Sequence, residues 1–91
     1  MQVPVELKRK YLDRRIQDID HLISSLEEND FGPAVKLGHQ VKGNAATFEF
    51  PQIAPFGVKI ETAAKKQDKE GVKHLIQLMA SELQLARLNF H

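Results

Sequence analysis

The 91 residues contain no cysteine, so disulfides and thiolate metal sites are excluded. Charge of either sign is not in excess. Thirteen Lys and Arg against 12 Asp and Glu leave a formal net charge of +1, which provides no global field to draw in nucleic acid or an anionic membrane. No apolar run approaches the ~18 residues of a membrane span, and no signal-peptide core is visible, so a cytoplasmic location is expected. Strand-like alternation of any length, internal repeats, linkers and low-complexity segments are all missing. There is also no Gly-rich phosphate loop and no acidic cluster suited to Mg²⁺, so the chain is not expected to bind and cleave ATP by itself.

What remains is helical. With 42% hydrophobic residues the chain can build one small core, and residues 1–91 read as a single domain. The first helix is expected from about Val5 to Glu28, with Pro4 leading in and a stripe of Leu12, Ile16, Ile19, Ile23 and Leu26. Asn29-Asp30 breaks it, Asp30 is placed to cap the next helix, and Pro33 fits that helix's first turn. The second helix is expected to reach Phe48, burying Ala34, Leu37, Val41, Ala45 and Phe48. Phe50-Pro51 opens a third, with Ile53, Phe56, Gly57, Ile60 and Ala64 inward and Pro55 placed to distort its start. Gln67-Asp68 is the last break, with Asp68 as N-cap of a fourth helix that buries Val72, Leu75, Ile76, Met79, Leu83, Ala86 and Phe90. Short connections make neighbours antiparallel. The expected fold is therefore all-α, an up-down four-helix bundle whose long first helix can kink at its N-terminal turns to cover one end.

The chemistry concentrates in His39-Gln40-Val41-Lys42-Gly43-Asn44-Ala45-Ala46-Thr47-Phe48. Helical side chains lean toward the N-terminus, so Lys42 and Gly43 lie over His39. Lys42 brings a cation to it, and Gly43 clears the space that a side chain would fill. Each interior helix glycine costs about 1 kcal/mol relative to alanine, and Gly38 and Gly43 bracket His39 in a short helix. Gly38 reads best as a point of close helix–helix approach, and Gly43 as access to the imidazole. A neutral imidazole is a competent nucleophile near pH 7 without a Ser-His-Asp apparatus.

This segment resembles the histidine-containing phosphotransfer (HPt) domain family. Its signature is a His, any residue, an aliphatic, Lys-Gly, two small residues, two variable ones and a hydrophobe. The likeness continues through Phe50-Pro51-Gln52-Ile53 to Glu61-Thr62-Ala63-Ala64 and Asp68. One departure is Glu49, where the family usually carries Gly; a positive φ there would strain the turn. The resemblance implies a monomeric phosphoryl carrier of a two-component phosphorelay, without kinase activity of its own. His39 would take the group from a receiver-domain phosphoaspartate and return it to another receiver. Lys42 would neutralise phosphoryl oxygens, and Gly43 with Ala46 would leave a flat docking surface. Implied partners are response-regulator receiver domains and a hybrid sensor kinase. No cofactor is expected on this chain, with Mg²⁺ supplied by the receiver.

Other features have plainer readings. His21 and His74 sit beside core stripes, His91 is terminal, and no two histidines have the i,i+4 spacing of a helical metal site. Lys8-Arg9-Lys10-Arg14-Arg15 is interrupted by Asp13, Asp18 and Asp20, with only Tyr11 nearby to stack on a base, and reads as a solvated face. Lys36, one turn before His39, adds local positive potential. The competing reading of the whole is a non-catalytic helical interaction module whose glycines merely let helices approach.

Overall fold

The computed structural model describes residues 3–90. Among them the chain forms four helices and no strand: α1 (Val5–Glu27), α2 (Gly32–Asn44), α3 (Ala54–Lys65) and α4 (Lys69–Arg87). Each helix packs on its sequence neighbour and α4 closes back on α1, which makes an up-down four-helix bundle. Its core joins Leu12, Leu22 and Leu26 to Leu37 and Val41, Ile53 and Ile60, and Ile76, Met79 and Leu83. On α1 the buried set differs from the expected stripe. Tyr11 and Leu22 are buried, while Ile16, Ile19 and Ile23 are only partly covered. The helix lies between α4 and α2, so its apolar arc is wider than one seam.

No break interrupts α1, and its first turns do lie against one end of the bundle. There Tyr11 stacks on Phe48 with ring centroids 4.6 Å apart, and the Lys8 ammonium lies 5.3 Å from the Phe50 ring and 5.7 Å from that of Phe90.

Three helix ends share one device. Asn29, Glu49 and Gln67 have φ of 61°, 70° and 58°. Around each, two N–H groups return to carbonyls of the last turn: Asp30 to Ser25 and Asn29 to Leu26, Phe50 to Ala45 and Glu49 to Ala46, Asp68 to Ala63 and Gln67 to Ala64. This is the Schellman arrangement, whose left-handed position is usually glycine. Here no glycine among the described residues has a positive φ.

The boundaries follow from these ends. Regular α2 stops at Asn44, short of Phe48, and residues 45–49 continue as turns until Glu49 reverses the chain. Likewise α3 begins at Ala54, beyond Phe50-Pro51; Pro55 lies in its first turn, where a missing N–H costs nothing, and does not distort it. Asp30 is not the N-cap of α2. That place belongs to Phe31, while Asp30 Oδ1 accepts the Gly32 N–H at 3.1 Å. Asp68 does cap α4, accepting from the Gly71 N–H at 3.0 Å.

The tightest packing is between α2 and α3. A Cβ on Gly38 would lie 2.6 Å from the Glu61 nitrogen and 2.8 Å from the Gly57 oxygen, and one on Gly57 would lie 2.5 Å from the Lys42 nitrogen. The two backbones therefore cross in contact at this glycine pair, which sets the register of everything beside it.

Candidate functional site

The site straddles this crossing: Lys42 stands one turn after Gly38 on α2 and Glu61 one turn after Gly57 on α3, and because the helices run antiparallel their side chains reach toward each other across the glycine contact. His39 follows Gly38 and points outward, with 69% of its side chain exposed. The Glu61 side chain, only 11% exposed, reaches up from the interhelical seam beneath it. Its Oε2 lies 3.2 Å from His39 Nδ1, its Oε1 accepts from Lys42 Nζ at 3.2 Å, and Lys65 Nζ stands 3.4 Å from Oε2.

The hydrogen bond from Lys42, with the charges of Lys42 and Lys65, outweighs the effect of burial and holds the Glu61 carboxyl below the ordinary carboxylate range. Glu61 is thus an anion near neutral pH and can only accept. Opposite an acceptor, the neutral imidazole carries its proton on Nδ1 and keeps the lone pair on Nε2. Nothing crowds this face: a Cβ built on Gly43 would meet no atom within 4 Å. The arrangement presents an oriented, accessible nitrogen nucleophile with an anion behind it and a cation beside that anion.

The residues singled out by sequence fall on two sides of α2. His39, Lys42 and Gly43 share the exposed face, and Gly38 lies buried against α3. Lys42 departs from expectation in one respect. Its i+3 spacing suggested direct service to His39, whereas its hydrogen bond goes to Glu61. Glu61 itself was not foreseen as a site residue. A signal was available: Glu61 stands one turn after Gly57, so taking Gly38 and Gly57 as the α2–α3 contact puts Glu61 against Gly38, next to the histidine that follows it.

His21 and His74 are exposed, and His91 lies outside the described residues. Among the described residues no group of three or more His, Cys, Asp or Glu could hold a metal ion, and no helix is long and apolar enough to cross a membrane.

The structure is thus a four-helix bundle with an exposed histidine set against a carboxylate and a lysine. The Hpt domain family model matches residues 6–88, and the chain belongs to the Hpt domain family. Comparison with curated proteins and with solved structures returned no match. Hpt domains are phosphocarriers rather than enzymes, and they act in two-component phosphorelays by histidine phosphotransfer with receiver domains and kinases.

Proposed function

We propose that His39 is the phosphoryl acceptor, taking the group from a receiver-domain phosphoaspartate and passing it to the aspartate of a second receiver. The observation that carries this is an exposed imidazole whose Nδ1 lies against the Glu61 carboxylate, which leaves Nε2 as the nitrogen for attack. The Nε2 lone pair attacks phosphorus in line, a P–N bond forms, the P–O bond of the acyl phosphate breaks, and the aspartate leaves as a carboxylate. The Nδ1 proton stays in place. The phosphorylated ring then carries a positive charge, and the Glu61 carboxylate 3.2 Å away stabilises it.

Lys42, 44% exposed and bound to Glu61 by one hydrogen bond, has room to turn its ammonium toward incoming phosphoryl oxygens as a point charge. Gly43 keeps the approach open to a partner as broad as a receiver domain. Mg²⁺ bound by the receiver supplies the remaining charge neutralisation on the phosphoryl group. The chain has no kinase activity of its own in this reading and depends on a hybrid sensor kinase upstream.

The test is incubation with a panel of phosphorylated receiver domains. Wild type should acquire acid-labile, alkali-stable phosphate, and His39→Gln should acquire none while its helicity and melting temperature stay near wild type, as for other exposed substitutions. Undiminished labelling of His39→Gln would remove His39 from the role.

A further inference from the structure

Lys65 shares a carboxylate oxygen with the imidazole. Lys42 Nζ takes Glu61 Oε1 at 3.2 Å, while His39 Nδ1 at 3.2 Å and Lys65 Nζ at 3.4 Å both face Oε2. Lys65 ends α3 and follows Glu61 by one turn, so the helix has its own uses for it: an i,i+4 ion pair and a cation at the C-terminal end of the dipole. Neither use requires the lysine to share an oxygen with the ring. It does so because the α2–α3 crossing brings His39 to Glu61.

The sharing bears on the charge balance of the site. At rest one carboxylate faces two ammonium groups and a neutral ring, which leaves positive charge in surplus. Transfer to Nε2 leaves the Nδ1 proton in place, makes the ring a cation and adds a phosphoryl group of nearly two negative charges. With both lysines the set is then close to neutral; with Lys42 alone it would carry about one negative charge in excess.

The hydrogen bonding changes in the same direction. A ring N–H that has become cationic is a stronger donor to a carboxylate than a neutral one. Oε2 is the oxygen it already touches, and the contact it displaces there is the longer one, from a side chain 63% exposed. Lys42 holds the other oxygen and does not compete.

We propose that Lys65 is a second phosphoryl-binding cation, displaced from Glu61 Oε2 by the imidazolium and taken up by the phosphoryl oxygens. The inference rests on the phosphocarrier reading above and adds what holds the group once it has arrived. Lys42 meets the phosphoryl group as it comes in, and Lys65 acts after the P–N bond has formed. Loss of Lys65 should therefore change how well His39 keeps the group more than how fast it takes it.

Phosphoramidate tests this without a docking partner. Nε2 attacks its phosphorus, the donor's P–N bond breaks, and the nitrogen leaves as ammonia with its own protons. His39→Gln gives the background from the exposed His21 and His74. In ³¹P titrations of the labelled domain, the phosphoryl group of Lys65→Met should take up a proton at a pH higher by roughly 0.3–0.5 than in wild type. The charged groups that face it are His39 and Lys42 from α2 and Glu61 and Lys65 from α3. Mixed with an exchanging receiver, Lys65→Met should retain about threefold less of the group at equilibrium, with an initial labelling rate within about twofold of wild type. Lys65→Arg should restore the titration and the equilibrium, and Lys66→Met, at the exposed cation next along, should change neither. An unmoved titration and equilibrium in Lys65→Met would overturn the proposal. A shift in the opposite sense would overturn it in favour of a lysine that only competes with the ring for Oε2. Failure of every receiver to label wild type would remove the phosphocarrier reading, and the ³¹P comparison would still decide Lys65.

Discussion

The two sides of α2 use the same residue for opposite ends. Toward α3, Gly38 meets Gly57 so closely that a single added carbon would overlap backbone atoms. On the outer side, Gly43 faces no atom within 4 Å of where its Cβ would be. Both carry the propensity penalty of glycine inside a helix, about 1 kcal/mol relative to alanine. At Gly38 the fold recovers it through backbone contact. At Gly43 nothing in the bundle does, and this is the ground for proposing that the vacancy admits a partner to His39. A glycine is informative about function where its neighbours do not need it.

The comparison breaks most visibly if one substitution is made at both positions. Gly38→Leu should prevent the bundle from forming, because the clash is with the backbone of α3 rather than with a movable side chain, and even Gly38→Ala should cost about 1–3 kcal/mol. Gly43→Leu should fold, with stability equal to wild type or up to about 1 kcal/mol higher, yet neither bind a receiver well nor accept phosphate. Denaturant melts and receiver titrations on the two variants decide this. An unfolded Gly43→Leu would place that face inside the protein, and a stable variant with normal transfer would remove the steric role.

A smaller effect is expected from the group that links the two sides. Glu61→Ala frees the His39 ring and leaves Lys42 without its hydrogen bond, so single-turnover transfer should slow by roughly tenfold. Glu61→Gln, which can still accept from Nδ1 but lacks the charge, should recover only part of that rate. Equal rates for all three proteins would reduce Glu61 to packing. The depressed carboxyl fixes the sign of the pH response: the unfolded chain takes up this proton at higher pH than the folded one. Stability contributed by Glu61 is therefore present above the ordinary carboxylate range and is lost as pH falls through the lowered value. Glu61→Gln should accordingly flatten the acid side of the stability curve.

The smallest effect concerns Glu49. Its φ of 70° suits glycine, but its carboxylate accepts from the Val3 N–H at 2.9 Å and pairs with Lys8 at 3.2 Å. Glu49→Gly relieves the backbone and gives up two exposed contacts, for a net rise in melting temperature of roughly 2–5 °C. A lowered melting temperature would show that the ties to Val3 and Lys8 matter more than the strain.

Much of the architecture was legible in the order of residues. Helix number, the breaks at Asn29-Asp30 and Gln67-Asp68, the Asp68 cap and most of the α4 core follow from periodicity and local hydrogen bonding. These are short-range properties, set within a turn or two of chain. The end of α2 and the start of α3 were less legible, because a helix that runs out through turns onto a left-handed glutamate carries no glycine to mark where it stops.

Sequence by itself determined that His39 stands on a helix with a lysine and a glycine one turn on, since those neighbours are set by helical pitch. It also determined the family, through a pattern confined to a few adjacent turns. Only the tertiary structure decided what His39 Nδ1 touches. Glu61 is 22 residues away, and it arrives beside the ring because Gly38 and Gly57 let two backbones close to contact and so fix the register of α2 against α3. Lys65 comes to the same carboxylate oxygen as the ring through that crossing too. Pitch dictates the residues within one helix; which helices meet closely and which stand apart depends on volumes summed across the whole bundle.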